Sequence, residues 1–154
     1  DTPQTLYDYP CNQFVAGFIG SPQMNFVDAK CKVVGNKVYL VAGPSEIELP
    51  PAKAKKLIDG GYEGKTVVLG IRPEDVHDEQ MFIEASPNTV IEAKIRVYEM
   101  LGAEVFLYFD YEGSSMTARV DPRTTARTGD TVTFAFDAEK IHVFDKETEK
   151  TITN

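Results

Sequence analysis

The chain has 154 residues, 42% of them hydrophobic and 26% charged, enough for one domain with a proper core. Sixteen basic residues against 24 acidic ones leave a net charge of −8, which argues against a partner recognised through a phosphate backbone. No apolar run approaches the ~20 residues of a membrane span, no segment reads as a signal peptide, and the start at Asp1 reads as a processed chain or a piece of a longer one.

Thr2-Pro3 reads as a helix cap followed by a first-turn proline, with the helix ending at Tyr9 before Pro10. A second helix, opened by Cys11, carries Phe14, Val15, Phe18 and Ile19 as an apolar stripe that must pack on something. Gly20 ends it and Ser21-Pro22 cannot continue it. From Met24 the period changes to two. Val27, Ala29, Cys31 and Val33 point one way, and Asp28, Lys30 and Lys32 the other. Gly35-Asn36 signals a hairpin, after which Val38, Leu40 and Ala42 alternate with Lys37 and Tyr39. Cys31 thus faces a core and Cys11 stands apart from it, which reads as two reduced thiols rather than a disulfide framework.

The stretch "DGGYEGKTVVLG", 59–70, ends like a phosphate-cradling loop, G-x-x-x-x-G-K-[ST]. Its first glycine should stand at position 59, where the chain has Asp59. The polarity is also reversed. Pro51 suits a first helical position, Ala54, Leu57 and Ile58 share a helical face, and Gly60 or Gly61 closes that helix. A strand, Lys65–Ile71, follows and runs into Arg72-Pro73. A phosphate loop needs the strand first and the helix second, so this is a helix cap.

The second half reads as strands. Ile91, Ala93, Ile95 and Val97 alternate with charged residues, Gly102 breaks the pattern, and Val105–Phe109 is a bulky apolar run. Met116, Ala118 and Val120 alternate, Asp121–Asp130 is a polar loop, and Val132, Phe134 and Phe136 alternate again. Asp137 then caps one helical turn before Ile141–Phe144. Many short strands with one or two small helices predict a mainly β chain folded as a small barrel or sandwich. His77 and His142 lie far apart and lack the Cys or carboxylate spacing of a zinc site, so no metal is expected.

Four stretches in order, "YDYPCNQFVAGFIGSPQMNF" (7–26), "LGIRPEDV" (69–76), "LGAEVFLYF" (101–109) and "VDPRTTARTGDTVTFAFDAEKIHVFDKET" (120–148), resemble the C-terminal part of the ATP-binding subunits of sugar ABC importers of the maltose, multiple-sugar and glycerol-phosphate type. The resemblance covers essentially the whole chain; where the family more often has two prolines, this chain has Pro22-Gln23. It implies an OB-type barrel of the TOBE kind over 23–154, preceded over 1–22 by the helical tail of the ATPase domain and its linker. It implies a regulatory and dimerisation domain, cytoplasmic and peripheral at the inner face of the cell membrane. The phosphate loop, ATP and magnesium then belong to an ATPase domain outside this chain, which itself carries no catalytic, nucleotide-binding or metal residue and no cofactor. The implied partners are a second copy, permease subunits reached through the ATPase domain, and regulatory proteins, with no nucleic acid.

On that resemblance the candidate dimer or regulatory contacts are Met24, Asn25 and Phe26; Arg72, Pro73, Glu74 and Asp75, with Arg72 as a clamp between subunits; and the Gly102, Ala103 and Glu104 corner. Each also has a local reading, as strand start, strand-end turn and inter-strand turn. The alternative function is a freestanding OB-type module for a small oxyanion or sugar, using the loop residues Arg123, Thr124, Thr125, Arg127 and Thr128.

Overall fold

The computed structural model describes residues 2–19 and 22–154; Gly20, the expected helix stop, and Ser21 lie outside the described residues. Two short helices come first. Helix α1, Pro3–Asp8, is capped by the Thr2 hydroxyl, which accepts from the Thr5 N–H. Helix α2, Gln13–Phe18, is capped by the Asn12 side chain, which accepts from the Val15 N–H at 2.8 Å. Cys11 therefore precedes the cap and does not open the helix, and it is exposed.

Among the described residues eleven antiparallel strands follow. They are β1 (Asn25–Val34), β2 (Lys37–Ala42), β3 (Ser45–Glu48), β4 (Thr66–Ile71), β5 (Val76–His77), β6 (Val90–Leu101), β7 (Glu104–Tyr111), β8 (Ser114–Val120), β9 (Thr131–Phe136), β10 (His142–Asp145) and β11 (Thr151–Thr153). They form a six-stranded sheet in the order β11-β10-β4-β1-β2-β3 and a five-stranded sheet in the order β5-β9-β6-β7-β8. The expected alternation is met: Val27, Ala29 and Cys31 of β1 and Ile91, Ala93 and Ile95 of β6 are buried in one core shared by both sheets. The mainly β class expected from the sequence is what the chain adopts.

Helix α3, Pro51–Asp59, precedes β4, the polarity that excludes a phosphate loop. Its buried face is Lys53, Ala54 and Leu57, against β2 and β11. Ile58, expected on that face, is exposed, because the contact stripe lies one residue further back around the helix. Gly61, at φ +75°, ends the helix in the left-handed region, and the Tyr62 N–H returns to the Leu57 carbonyl at 3.1 Å. Strand β3, the two-residue strand β5 and helix α4 (Gln80–Ala85) are not among the expected elements: the strands are too short for a periodic signal, and α4 has neither a side-chain cap nor a buried face.

Two apolar stripes behave differently from expectation. Val97 is 45% exposed, because a register shift in β6 between Ile95 and Val97 turns the alternation over, and Tyr98 packs on the core instead. In α2 the stripe of Phe14, Val15, Phe18 and Ile19 is not what the helix buries. Phe14 and Phe18 are 72% and 71% exposed and stack on each other at 6.0 Å, while Ala16 inserts beside Met24, Val68, Phe144 and Phe26. A six-residue helix presents too little length for both faces to be covered by one small sheet surface.

Candidate functional site

Strand β4 lies in the middle of the six-stranded sheet, and Arg72 is the residue immediately after it. Pro73, buried, has no N–H for the ladder, so the chain turns into a short 3₁₀ helix, Pro73–Asp75. The Arg72 side chain leaves the sheet at a fixed point and is only 2% exposed. Its Nη1 donates to the Ile19 carbonyl at 2.6 Å, with the Ala16 carbonyl at 3.5 Å, and its Nη2 donates to the Tyr7 carbonyl at 3.0 Å. These acceptors lie at the C-terminal ends of α1 and α2, where backbone carbonyls have no helical partner and the helix dipoles place negative charge. Glu74 accepts from the Tyr7 hydroxyl. One cation thus caps two helices and ties residues 7–19 to the end of a central strand. Burial lowers the pKa of the guanidinium, and Asp75 and Asp8 act in the opposite sense. Within the monomer, Arg72 is turned inward and not toward a neighbour.

Beside this junction is a cleft of about 540 Å³ bordered by Tyr7, Lys53, Arg72, Glu74 and His142. Lys53 is buried and reaches the Asn154 carbonyl oxygen, and burial lowers its pKa. The His142 Nδ1 lies 2.9 Å from the Asn154 Oδ1. Burial pushes the His142 pKa down to about 4, against the opposing effect of that hydrogen bond. Reading the sequence missed Tyr7, Lys53 and His142. Only Lys53 left a signal, a cation on the same helical stripe as Ala54 and Leu57.

The second structural link is Asn25, at the start of β1. Its Nδ2 donates to the Thr117 carbonyl and its Oδ1 accepts from the Thr117 N–H, both at 2.8 Å. The side-chain amide acts as a peptide group, bonding β8 of one sheet from β1 of the other. Met24 is buried under α2 and Phe26 is half-buried there. Gly102 and Ala103 form the exposed turn between β6 and β7, with Gly102 at φ +63°. Glu104 lies 3.6 Å from Arg119 across the ladder. Met100 and Leu101 beside this turn are exposed. The three candidate groups therefore do not converge. Met24–Phe26 and Arg72–Asp75 lie at the helical junction, and Gly102–Glu104 stands apart at a hairpin tip.

The loop 121–130 borders a wider cleft of about 810 Å³. Arg123 pairs with Asp121 at 3.0 Å, and Arg127 donates to the Thr124 and Ala126 carbonyls and lies over the Tyr98 ring. The Thr124 hydroxyl donates to Asp78, and Thr125 and Thr128 are exposed. Asp78, Glu79, Asp121 and Asp130 share the cleft. The cations are already engaged and carboxylates dominate the lining, an arrangement that disfavours an anion.

The family model described as the MalK OB fold domain matches residues 20–76, and the model described as the TOBE domain matches residues 69–144. The chain is 45% identical over 148 residues to the oligosaccharides import ATP-binding protein MsmX of Bacillus subtilis. It is 40% identical over 152 residues to the multiple sugar-binding transport ATP-binding protein MsmK of Streptococcus mutans, and 37% identical over 153 residues to the trehalose/maltose import ATP-binding protein MalK of Thermococcus litoralis. These alignments take in 96–98% of this chain but 39–40% of each relative, so the chain spans about two fifths of their length. Among solved structures, the cytoplasmic molybdate-binding protein ModG aligns with a TM-score of 0.58 over 79% of this chain and 94% of its own, at 12% identity, a likeness of fold alone. With the two domain models together spanning residues 20–144, the chain belongs to the MalK-type OB-fold and TOBE family, the region it shares with ATP-binding proteins of sugar ABC importers.

Proposed function

We propose that the chain is the C-terminal regulatory region of the ATP-binding subunit of a carbohydrate ABC importer, with residues 1–22 as the tail of the ATPase domain and its linker. The observation that carries this reading is the alignment of nearly the whole chain, helices included, with import ATP-binding proteins named for three different sugar classes. In this reading ATP and magnesium bind the preceding motor domain, and this segment hydrolyses nothing. The subunit works at the inner face of the cell membrane, against permease subunits and beside a second copy of itself. The exposed Phe14–Phe18 pair faces the motor, and the hairpin tip of Met100, Leu101 and Gly102–Glu104 is offered to the second copy or to a regulatory protein. Arg72 couples the two halves, because it holds the helical segment to a central strand of the sheet.

The reading frame upstream of residue 1 tests this. It is expected to encode a nucleotide-binding domain with Walker motifs in frame, and the intact gene product is expected to hydrolyse ATP while the present segment does not. A frame without such a domain, or binding of ATP by this segment in calorimetry, overturns the proposal.

A further inference from the structure

We propose that Asp75, His77 and Asp137 form a binding site for a divalent transition ion of the zinc type, built across the β5–β9 ladder. Strand β5 pairs antiparallel with β9, with Val76 opposite Phe136 and His77 opposite Ala135, and the Asp137 N–H donates to the Asp75 carbonyl at 2.9 Å. Asp75 and His77 are two residues apart, on one side of the ladder. Asp137 stands directly across from Asp75. One ligand atom from each of the three lies within 4.8 Å of the other two, and all three side chains are half-buried. Two carboxylate oxygens and an imidazole nitrogen are a donor set for zinc, cobalt or manganese, with a position left for water, and are too few oxygens for calcium.

Independent features orient these groups. The His77 Nδ1 lies 3.1 Å from the Glu79 Oε2, a contact that keeps the ring proton on Nδ1 and leaves the Nε2 lone pair for a metal. The His77 ring is stacked on Phe82 at 4.0 Å between centroids, which fixes its plane. Asp137 spends one oxygen on the Glu139 N–H, at 3.2 Å, and among the described residues its other oxygen accepts no hydrogen bond. The Asp75 carboxylate accepts no hydrogen bond among the described residues, and it lies within 4.8 Å of the Asp137 carboxylate, so two like charges face each other across the ladder. A divalent ion answers that repulsion directly. In the linear sequence the ligands are separated by 60 positions, and only the ladder unites them.

The test uses this chain with Cys11→Ser, since Cys11 is an exposed thiol that can bind zinc on its own. Zinc chloride is titrated calorimetrically, and the histidine ring nitrogens are followed by long-range proton–nitrogen NMR. One zinc per chain is expected, with the His77 nitrogens shifting and those of buried His142 unchanged. Asp75→Asn and His77→Gln are expected to weaken binding at least tenfold, and Glu79→Gln by about tenfold through the lost orientation of the ring. Circular dichroism of the metal-free variants separates loss of ligand from loss of fold, and Asp75→Asn, equal in shape and outside any cap, decides if His77→Gln unfolds. Unmoved His77 signals at saturating zinc, or unchanged affinity in Asp75→Asn, overturns the site.

Discussion

The guanidinium carbon of Arg72 lies 3.8 Å from the centroid of the Tyr7 ring, joining residues 65 positions apart in the chain. Stacking and hydrogen bonding both use the planar fork of arginine, which a lysine cannot reproduce. Arg72→Lys and Arg72→Ala are therefore both expected to be destabilising, by about 2–4 kcal/mol for the alanine, since charged hydrogen bonds are lost and helix-end carbonyls are left buried. Hydrogen exchange locates the damage. Amides of residues 5–19 lose protection in Arg72→Lys, while those of β6 and β7 keep theirs.

Asn25 gives a second expectation. Asn25→Ala removes both partners of Thr117 and is expected to cost about 1–3 kcal/mol, read as a shift of the urea midpoint. Asn25→Asp keeps the acceptor but faces the Thr117 carbonyl with a second oxygen. It is expected to destabilise above the carboxyl pKa and to recover on acidification, when the protonated acid again donates.

Two titrations oppose each other. Asp75 has its pKa raised from 3.8 to about 6, by burial first and then by Glu74 and Asp137. The folded state holds the extra proton between these values, so the Asp75 contribution to stability falls as pH rises through this window. His142, lowered from 6.5 to about 4, contributes stability above 6.5 that is lost as pH falls toward 4. In chelator-treated protein Asp75→Asn is expected to raise stability near neutral pH by roughly 1 kcal/mol, after discounting for solvent screening. It also leaves the acid-side loss due to His142 uncovered, so urea midpoints fall more steeply on acidification in Asp75→Asn than in the parent chain. Equal slopes in the two proteins contradict these assignments.

Gly70 sits in β4 against side chains rather than in a turn. A β-carbon there would stand 2.6 Å from the Met24 sulfur and 2.9 Å from a Phe144 ring carbon. Gly70→Ala is expected to cost about 1–3 kcal/mol by overpacking the small cluster under α2, measured by thermal unfolding. Phe14→Ser with Phe18→Ser is expected to change stability by less than about 0.5 kcal/mol, since neither ring is in the core. The same pair should lower any self-association of the isolated chain in sedimentation.

Alternating residues made most strands readable, because period two follows directly from which side chains meet the core. Thr2, the Gly60-Gly61 pair and Asp137 were readable as helix ends for the same local reason. What escaped was decided by distant partners. Arg72 bonds to backbone carbonyls, which have no identity in a sequence, so its inward position left no trace in "GIRPED". Phe14 and Phe18 show a helical stripe clearly, yet periodicity does not say what covers it. Val97 failed because a single register shift inverts every later face of β6.

The Asn25–Thr117 pair has a consequence for the order of assembly. It closes a loop of 92 residues, and the sheet that contains β1 also needs β10 and β11 from the far end of the chain. During synthesis β4 can pair with β1 early, but its other edge stays open until residues 142–145 emerge. Until then a row of unpaired backbone groups faces solvent beside Val67, Val68 and Leu69, so the nascent chain is most exposed to edge-to-edge aggregation just before its last strands are made, and C-terminal truncation before His142 should convert that passing state into a lasting one.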